Sequence, residues 1–77
     1  MQGDRREFTA RLGAALRSYR KAAGITQVDL AAQLGEPQSF VSRYETGERR
    51  LEFFDVLRVC RIVGVSLEEL VATLEVD

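Results

Sequence analysis

The side chains best suited to chemistry lie in one short stretch, between Pro37 and Gly47. Spacing predicts a helix there, with apolar residues on one side and polar residues on the other, namely Gln38, Ser39, Ser42 and Arg43. A glutamine amide donates and accepts hydrogen bonds at once, and an arginine guanidinium offers two parallel donors. The group therefore suits a hydrogen-bonding surface. Any surface helix shows a polar face, however, and on these residues alone a solvated face is the simpler interpretation.

The elements that would position this group are two short helices joined by a tight turn, over about residues 26–46. Thr26 offers a hydroxyl to free backbone N–H groups of the first helix, and Asp29 three residues later completes a capping-box pattern. The apolar face of this helix is predicted to contain Val28, Leu30, Ala31 and Leu34. Gly35 falls where a left-handed residue can end the helix, and Pro37 suits the start of the next one.

The pattern TQxxLAxxLG…SxxSRYExG in this stretch resembles the lambda-repressor-like helix-turn-helix regulators, the group of phage Cro and repressor proteins often called XRE-type. The resemblance covers roughly Leu12 to Leu70. It implies an all-α fold, a compact five-helix domain over residues 1–77 with a helix-turn-helix at helices 2 and 3. It also implies that the helix from Gln38 to about Thr46 is a recognition helix that lies in the DNA major groove.

The resemblance assigns a role to each polar residue in and beside that helix. Base reading would fall to Gln38, Ser39 and Arg43, since a glutamine amide suits adenine N6 and N7 and an arginine fork suits guanine O6 and N7. Phosphate contacts would come from Gln27, Ser42, Thr46, Arg49 and Arg50.

Two residues depart from the family pattern just before the recognition helix. Glu36 places a carboxylate where it would repel a phosphate or accept a hydrogen bond from a cytosine amino group. Pro37 stands where a serine or threonine cap is common, which would shift the helix start and with it Gln38.

Arg20 and Glu45 are a candidate structural ion pair. In the resembling family an arginine at this place pairs with the glutamate at the end of the recognition helix. A planar, always charged guanidinium can brace one helix against another through two parallel hydrogen bonds. The alternative is an exposed cation near the end of the first helix.

Three further helices are predicted around this pair. The first runs from about residue 5 to 23, starts at Asp4 and buries Phe8, Leu12, Ala15, Leu16 and Tyr19. The fourth spans 52–63 and turns Phe53, Val56, Val59, Cys60 and Val63 toward the core. The fifth spans 66–75 and opens with a capping box formed by Ser66 and Glu69.

The last two helices carry more apolar surface than one core requires. The surplus in the fourth helix and just before it is Leu51, Phe54, Leu57 and Ile62, and on the fifth helix we expect Val71, Leu74 and Val76 to be partly exposed. Exposed apolar patches usually mark an interface. Because the last helix commonly forms a two-fold dimer contact in the resembling family, the predicted dimer contact is Phe54, Val71, Leu74 and Val76.

Composition bears on which kinds of metal or disulfide site the chain can form and on where in the cell it is expected. The 77 residues include no histidine and one cysteine, Cys60, which excludes an internal disulfide and a multi-cysteine zinc cluster. We expect no metal and no cofactor. The sequence has neither an apolar run long enough to cross a bilayer nor a signal-peptide core, so we expect a cytoplasmic protein that joins the nucleoid through DNA.

Charge is divided unevenly along the chain. Residues 1–50 hold nine Lys and Arg against six Asp and Glu, a balance of +3, while residues 51–77 hold two against six, a balance of −4. This division fits a basic half that faces DNA and an acidic half that faces away.

The functional prediction is a sequence-specific double-stranded DNA-binding transcription regulator, a dimeric repressor that reads an inverted repeat. An enzyme is the first alternative, and the lack of histidine, ligand clusters and a phosphate loop argues against it and against a small-molecule substrate. The second is a protein-interaction module, such as an antitoxin that masks a toxin and binds DNA only secondarily. The surplus side chains Leu51, Phe54 and Ile62 would allow it.

Overall fold

The computed structural model describes residues 4–75, which form five α-helices. They are α1 (Arg5–Ala22), α2 (Gln27–Leu34), α3 (Gln38–Glu45), α4 (Phe53–Val63) and α5 (Leu67–Glu75). No strand occurs between residues 4 and 75, so the predicted all-α, five-helix fold is confirmed. The helix ends lie within about one residue of their predicted places. None of the helices in this range is long and apolar enough to cross a membrane.

Side-chain caps fix where three of the helices begin. The Glu7 N–H donates to Asp4 Oδ1 at 2.8 Å, and the Asp29 N–H donates to Thr26 Oγ1 at 3.0 Å. Ser66 and Glu69 each accept the other's backbone N–H at 3.0 Å, which is the reciprocal capping box predicted for α5.

The turn between α2 and α3 is set by Gly35, whose φ of +72° lies in the left-handed region. The Glu36 N–H donates to Ala31 O at 3.0 Å and the Gly35 N–H to Ala32 O at 3.2 Å, a pair of bonds that satisfies the last carbonyls of α2. Pro37 then caps α3 without a side-chain hydrogen bond, and its ψ of 156° makes the backbone extended there. The helix still begins at Gln38, so the proline does not shift its start.

The core draws on all five helices. Its most deeply buried side chains are Leu16, Leu30, Val41, Tyr44, Val59 and Leu70. Phe8, Leu12, Ala15 and Tyr19 of α1 pack against this cluster and remain partly exposed. Leu51 and Ile62, which we expected to be surplus, also pack against it.

Two residues assigned to the core by their spacing lie outside it. Val28 is 59% exposed and Phe53 is 63% exposed, so both predictions were wrong. Each stands in the first turn of its helix. Together with Phe54 and Leu57, which are 64% and 40% exposed, Phe53 forms an exposed apolar group that we call the α4 patch.

The last helix packs more tightly than predicted. Leu74 is only 5% exposed, so the expectation that it is partly outside was wrong. It is enclosed because α5 lies along α1, where Arg11 donates a hydrogen bond to Leu74 O and the Tyr19 and Thr73 hydroxyls are 2.6 Å apart. Val71 is 38% exposed, while Val76 lies outside the described residues.

Candidate nucleic-acid interface

The third helix has a buried face and an exposed face with little overlap. Phe40, Val41, Tyr44 and Glu45 are buried, and Phe40 and Tyr44 meet edge to face with ring centroids 5.9 Å apart. The exposed face carries the predicted site residues Gln38, Ser39, Arg43 and Thr46, with Ser42 half-buried between them. The structure thus brings the sequence-predicted polar group together on one outer surface.

A close backbone contact holds α3 against α1. A Cβ atom at Gly13 would lie 2.0 Å from the carbonyl oxygen of Tyr44, far inside van der Waals contact. Only glycine fits, because the two helices approach until their backbones touch. The sequence analysis did not single out Gly13. The signal was available as a glycine inside a helix, away from either end, where it otherwise destabilises.

A buried ion pair provides the second constraint on α3. Arg20 Nε donates to Glu45 Oε2 at 2.7 Å, and Arg20 Nη2 donates to Glu45 Oε1 at 3.1 Å. Both residues are under 10% exposed, at 7% and 6%, so the predicted pair is present rather than an exposed cation. The hydrogen bond to Glu45 outweighs desolvation and raises the pKa of the Arg20 guanidinium. The remaining Arg20 nitrogen, Nη1, donates to Ile25 O at 2.7 Å and so ties the turn before α2 to the pair.

The same carboxylate orients Gln27 at the start of α2. Gln27 Nε2 donates to Glu45 Oε1 at 2.9 Å, and Gln38 Nε2 donates to Gln27 Oε1 at 3.2 Å. Arg20, Glu45, Gln27 and Gln38 therefore form one chain of hydrogen bonds from the core to the surface. Each glutamine amide has two N–H groups, so both retain hydrogen-bonding capacity for an outside partner.

The loop after α3 places two arginines beside the exposed face. Gly47 has a φ of +84°, and the N–H groups of Glu48 and Arg49 both donate to Arg43 O, at 2.9 and 3.2 Å. The Arg49 guanidinium lies over the Phe40 ring, 4.6 Å from its centroid, and both Arg49 and Arg50 are exposed.

Two carboxylates lie near the exposed face. Thr46 Oγ1 donates to Glu48 Oε2 at 3.2 Å. Thr46, one of the predicted phosphate contacts, therefore has a carboxylate beside it. Glu36 lies 3.9 Å from Arg58 Nη2, and Arg58 also donates to Asp55 Oδ1 and Leu34 O at 2.9 Å. The arginine thus draws the Glu36 carboxylate toward α4.

Gln27 and Arg49 flank the exposed face of α3 on opposite edges. At 3.6 residues per turn, Gln38 and Glu45 share the edge that meets Gln27, whereas Arg43 borders Phe40 and hence Arg49. The arrangement is a polar ridge with a hydrogen-bonding edge and a cationic edge.

A protein-family model described as a helix-turn-helix domain matches residues 11–74. The chain belongs to this helix-turn-helix family. It is a lambda-repressor-like regulator, as its motif indicated, with α2 and α3 as the two helices of the helix-turn-helix.

Solved structures of two regulators are similar to the chain. The clp gene regulator ClgR from Corynebacterium glutamicum is 28% identical, with a TM-score of 0.81 over 87% of this chain and 86% of that chain. The restriction-modification controller protein C.AhdI from Aeromonas hydrophila is 29% identical, with a TM-score of 0.74 over 80% of this chain and 94% of that chain. No curated protein sequence matches the chain.

Proposed function

We propose that this helix-turn-helix protein is a transcription regulator that binds double-stranded DNA with sequence specificity, by inserting α3 into the major groove. The observation that carries the proposal is the ridge formed by Gln38, Ser39 and Arg43, which is exposed and takes no part in the core. The similarity to a clp gene regulator and to a restriction-modification controller protein supports the same function. The protein would act in the cytoplasm, at the nucleoid.

Base reading would divide between the two edges of the ridge. Gln38 is presented by its bond to Gln27 and suits the N6 and N7 of adenine. Arg43 is exposed near the opposite edge and suits the O6 and N7 of guanine. Ser39 lies between them and, being short, would add less discrimination.

Phosphate contacts would flank the ridge on both sides. Gln27 stands in the first turn of α2, where backbone N–H groups also favour an anion, and Arg49 and Arg50 supply the cations after α3. Ser42 and Thr46, which lie between these two sides, would donate hydrogen bonds to phosphate from their hydroxyl groups. Glu48 lies beside Thr46, so we expect Thr46 to be the weakest of these five contacts.

We further propose that the regulator is a homodimer that represses transcription from an inverted repeat. Two recognition helices related by a two-fold axis would be spaced about 34 Å apart, one turn of B-DNA. The exposed apolar residues that support a dimer are Phe54 on α4 and Val71 on α5, and Val76 stays a prediction. Leu74 would act from inside the core by supporting α5.

Selection of bound duplexes from a random pool tests the proposed function, since it reports half-site, symmetry and spacing together. We expect an inverted repeat. Arg43→Ala should relax preference at one base pair and cost about 1–3 kcal/mol on the selected site, whereas Arg49→Ala should weaken all duplexes alike. Arg61→Ala, on the exposed surface of α4, is the control and should change neither. No enrichment of any sequence would refute the proposal.

A second function, a protein-interaction module that masks a partner such as a toxin, is favoured by the α4 patch. Its three side chains are 40–64% exposed, more apolar surface than a monomeric DNA reader requires. Sedimentation equilibrium of the protein alone separates the two. The patch serves self-association if the wild type is a dimer and Phe54→Glu dissociates it. The similarly exposed control Val28→Glu should leave that dimer intact. A monomer with no salt-sensitive DNA binding would favour the second function.

A further inference from the structure

We propose that Arg5 and Arg6, at the start of α1, bind a backbone phosphate of the same DNA duplex together with Arg50. The inference rests on the proposed function and extends the contact surface beyond the helix-turn-helix. These two arginines lie in sequence far from α3, and neither was among the residues predicted to contact DNA.

The fold brings the start of α1 next to the loop after α3. Gly47 lies so close to α1 that a Cβ atom on it would be 3.2 Å from the Ala10 Cα. With no side chain between them, the two segments enclose an open cleft of about 450 Å³ lined by Arg5, Arg6, Thr9, Gly47 and Arg50.

A second cavity, of about 190 Å³, adjoins this cleft and shares Arg5, Thr9 and Arg50 with it. Its lining adds Arg49, so four arginines from two segments of the chain meet around one recess. The lining residues of both cavities, all within residues 4–75, include no carboxylate.

No ion pair within residues 4–75 neutralises the arginines of this recess. Arg20 and Arg58 form ion pairs with carboxylates, whereas Arg5, Arg6 and Arg50 form none among the described residues. Asp4 is close in sequence, but its side chain accepts the Glu7 N–H at the cap of α1. Three exposed guanidinium groups around one cleft repel each other, and an anion relieves that repulsion.

The position of the cleft selects a DNA phosphate as its ligand. Arg49 and Arg50 lie in the loop after α3, four and five residues beyond its end at Glu45, so a duplex held by α3 would pass near the mouth of the cleft. Arg49 and Arg50 line one recess with Arg5 and Arg6, so the cations beside the ridge extend to the start of α1. A guanidinium fork matches the oxygens of a phosphate diester, and contact with it is independent of base sequence.

The test is the salt dependence of DNA affinity. Each phosphate contact contributes about −0.9 to the slope of log K against log salt concentration. The double variant Arg5→Ala/Arg6→Ala should therefore flatten the slope by about one, the contribution of one phosphate, and weaken binding roughly five- to tenfold at 0.1 M salt. The loss should be equal on the selected site and on random duplex, with base preference unchanged.

The matched control is Arg17→Ala/Arg61→Ala, which removes two exposed arginines elsewhere and so alters net charge by the same amount. Its slope should equal that of the wild type. Arg5→Lys/Arg6→Lys keeps the charge and should retain most of the slope, which guards against a variant that fails to fold.

Two results would overturn the inference. If Arg5→Ala/Arg6→Ala has the same slope as the control while the wild type binds DNA, the cleft takes no part and only this inference fails. If the wild type shows no salt-dependent binding to any duplex, the proposed function fails as well. Free inorganic phosphate is the other possible anion in the cleft. The melting temperature of the protein without DNA, measured in phosphate and in chloride at equal ionic strength, distinguishes it from a DNA phosphate. A cleft that binds only free phosphate would raise the melting temperature and leave the DNA slope unchanged, which also counts against the inference.

Discussion

At the scale of single residues, Tyr44 is held in the core by its ring and not by its hydroxyl. The residue is 1% exposed, and its hydroxyl oxygen is buried with no hydrogen-bond partner among the described residues. Burial strongly raises the pKa of the phenol, with the Glu45 carboxylate adding to the effect. The folded protein therefore favours the neutral phenol.

The Tyr44→Phe variant should be at least as stable as the wild type at pH 7, because it removes a buried polar group that forms no bond. Because the pKa is raised in the folded state, the contribution of Tyr44 to the free energy of unfolding is fully present below about pH 10, the pKa of an unfolded tyrosine. It falls as the pH rises further. Tyr44→Phe should lose less stability than the wild type between pH 7 and 10.5, measured by urea unfolding. Tyr19→Phe is the control, since it removes a real hydrogen bond to Thr73 and should cost about 1 kcal/mol at pH 7. A Tyr44→Phe variant less stable than Tyr19→Phe would contradict this account.

The Arg20→Ala variant should lose stability and DNA affinity together. It leaves the Glu45 carboxylate buried without its cation, which costs about 3–5 kcal/mol, and it loosens the support of Gln27. Thermal unfolding and DNA titration check both effects. The double variant Arg20→Met/Glu45→Leu removes both charges and should recover part of the stability, although Gln27 stays unsupported and affinity stays low. An unchanged melting temperature in Arg20→Ala would show that the pair contributes nothing.

At the scale of elements, the angle of α3 depends on how closely it meets α1. The contact at Gly13 sets the distance between the two helices, and the Arg20–Glu45 pair lies two helical turns further along α1. The two contacts together fix both the spacing and the rotation of α3 relative to α1.

The Gly13→Ala variant tests that contact. A methyl group 2.0 Å from Tyr44 O forces the helices apart, and we expect a loss of about 3 kcal/mol or more. In a domain of this size that lowers the melting temperature by roughly 10–20 °C. Gly24→Ala is the comparison, because Gly24 has a φ of +73° but open space around it, so only backbone strain of about 1–2 kcal/mol applies. Equal losses in the two variants would show that the close approach is relaxed in solution.

Sequence spacing predicted the elements better than it predicted their contacts. Caps and glycines are local signals, so Asp4, Thr26, Gly35 and Ser66 marked the helix ends correctly. Periodicity shows which residues share a face, but it contains nothing about where the opposite helix ends. For that reason Val28 and Phe53 were wrongly placed inside.

The site was predictable to the extent that it follows a local pattern. The exposed side of α3 came from its spacing, and the Arg20–Glu45 pair from the family motif. The bond between Gln27 and Gln38, the enclosure of Leu74 and the recess around Arg5 join residues distant in sequence. These depend on how the helices pack, which no single stretch of the sequence specifies.

At the scale of the whole molecule, the excess of positive charge lies in the first half of the chain and the exposed apolar α4 patch lies in the second half. Residues 1–50, with a charge balance of +3, contain α3 and the arginines of the recess beside it, while the α4 patch and Val71 belong to the acidic second half. A dimer joined through the second half would leave both ridges free for one duplex.

Dimer formation should make the melting temperature depend on protein concentration, since association stabilises the folded form by mass action. We expect the midpoint of the wild type to rise over a hundredfold increase in concentration, followed by circular dichroism. Phe54→Glu should melt at one temperature throughout, while Val28→Glu should behave like the wild type. A wild-type midpoint independent of concentration would refute the homodimer.

The two-faced construction of α3 has a consequence for how such a protein could be retargeted. Phe40, Val41, Tyr44 and Glu45 hold the helix against the core, so we expect an exchange of Ser39 or Arg43 to alter the preferred DNA sequence without disturbing the packing of α3. Gln38 is different, because its hydrogen bond to Gln27 connects it to the buried Arg20–Glu45 pair. Grafting a foreign reading surface should therefore succeed at positions 39 and 43 alone, and at position 38 only when residue 27 is exchanged with it.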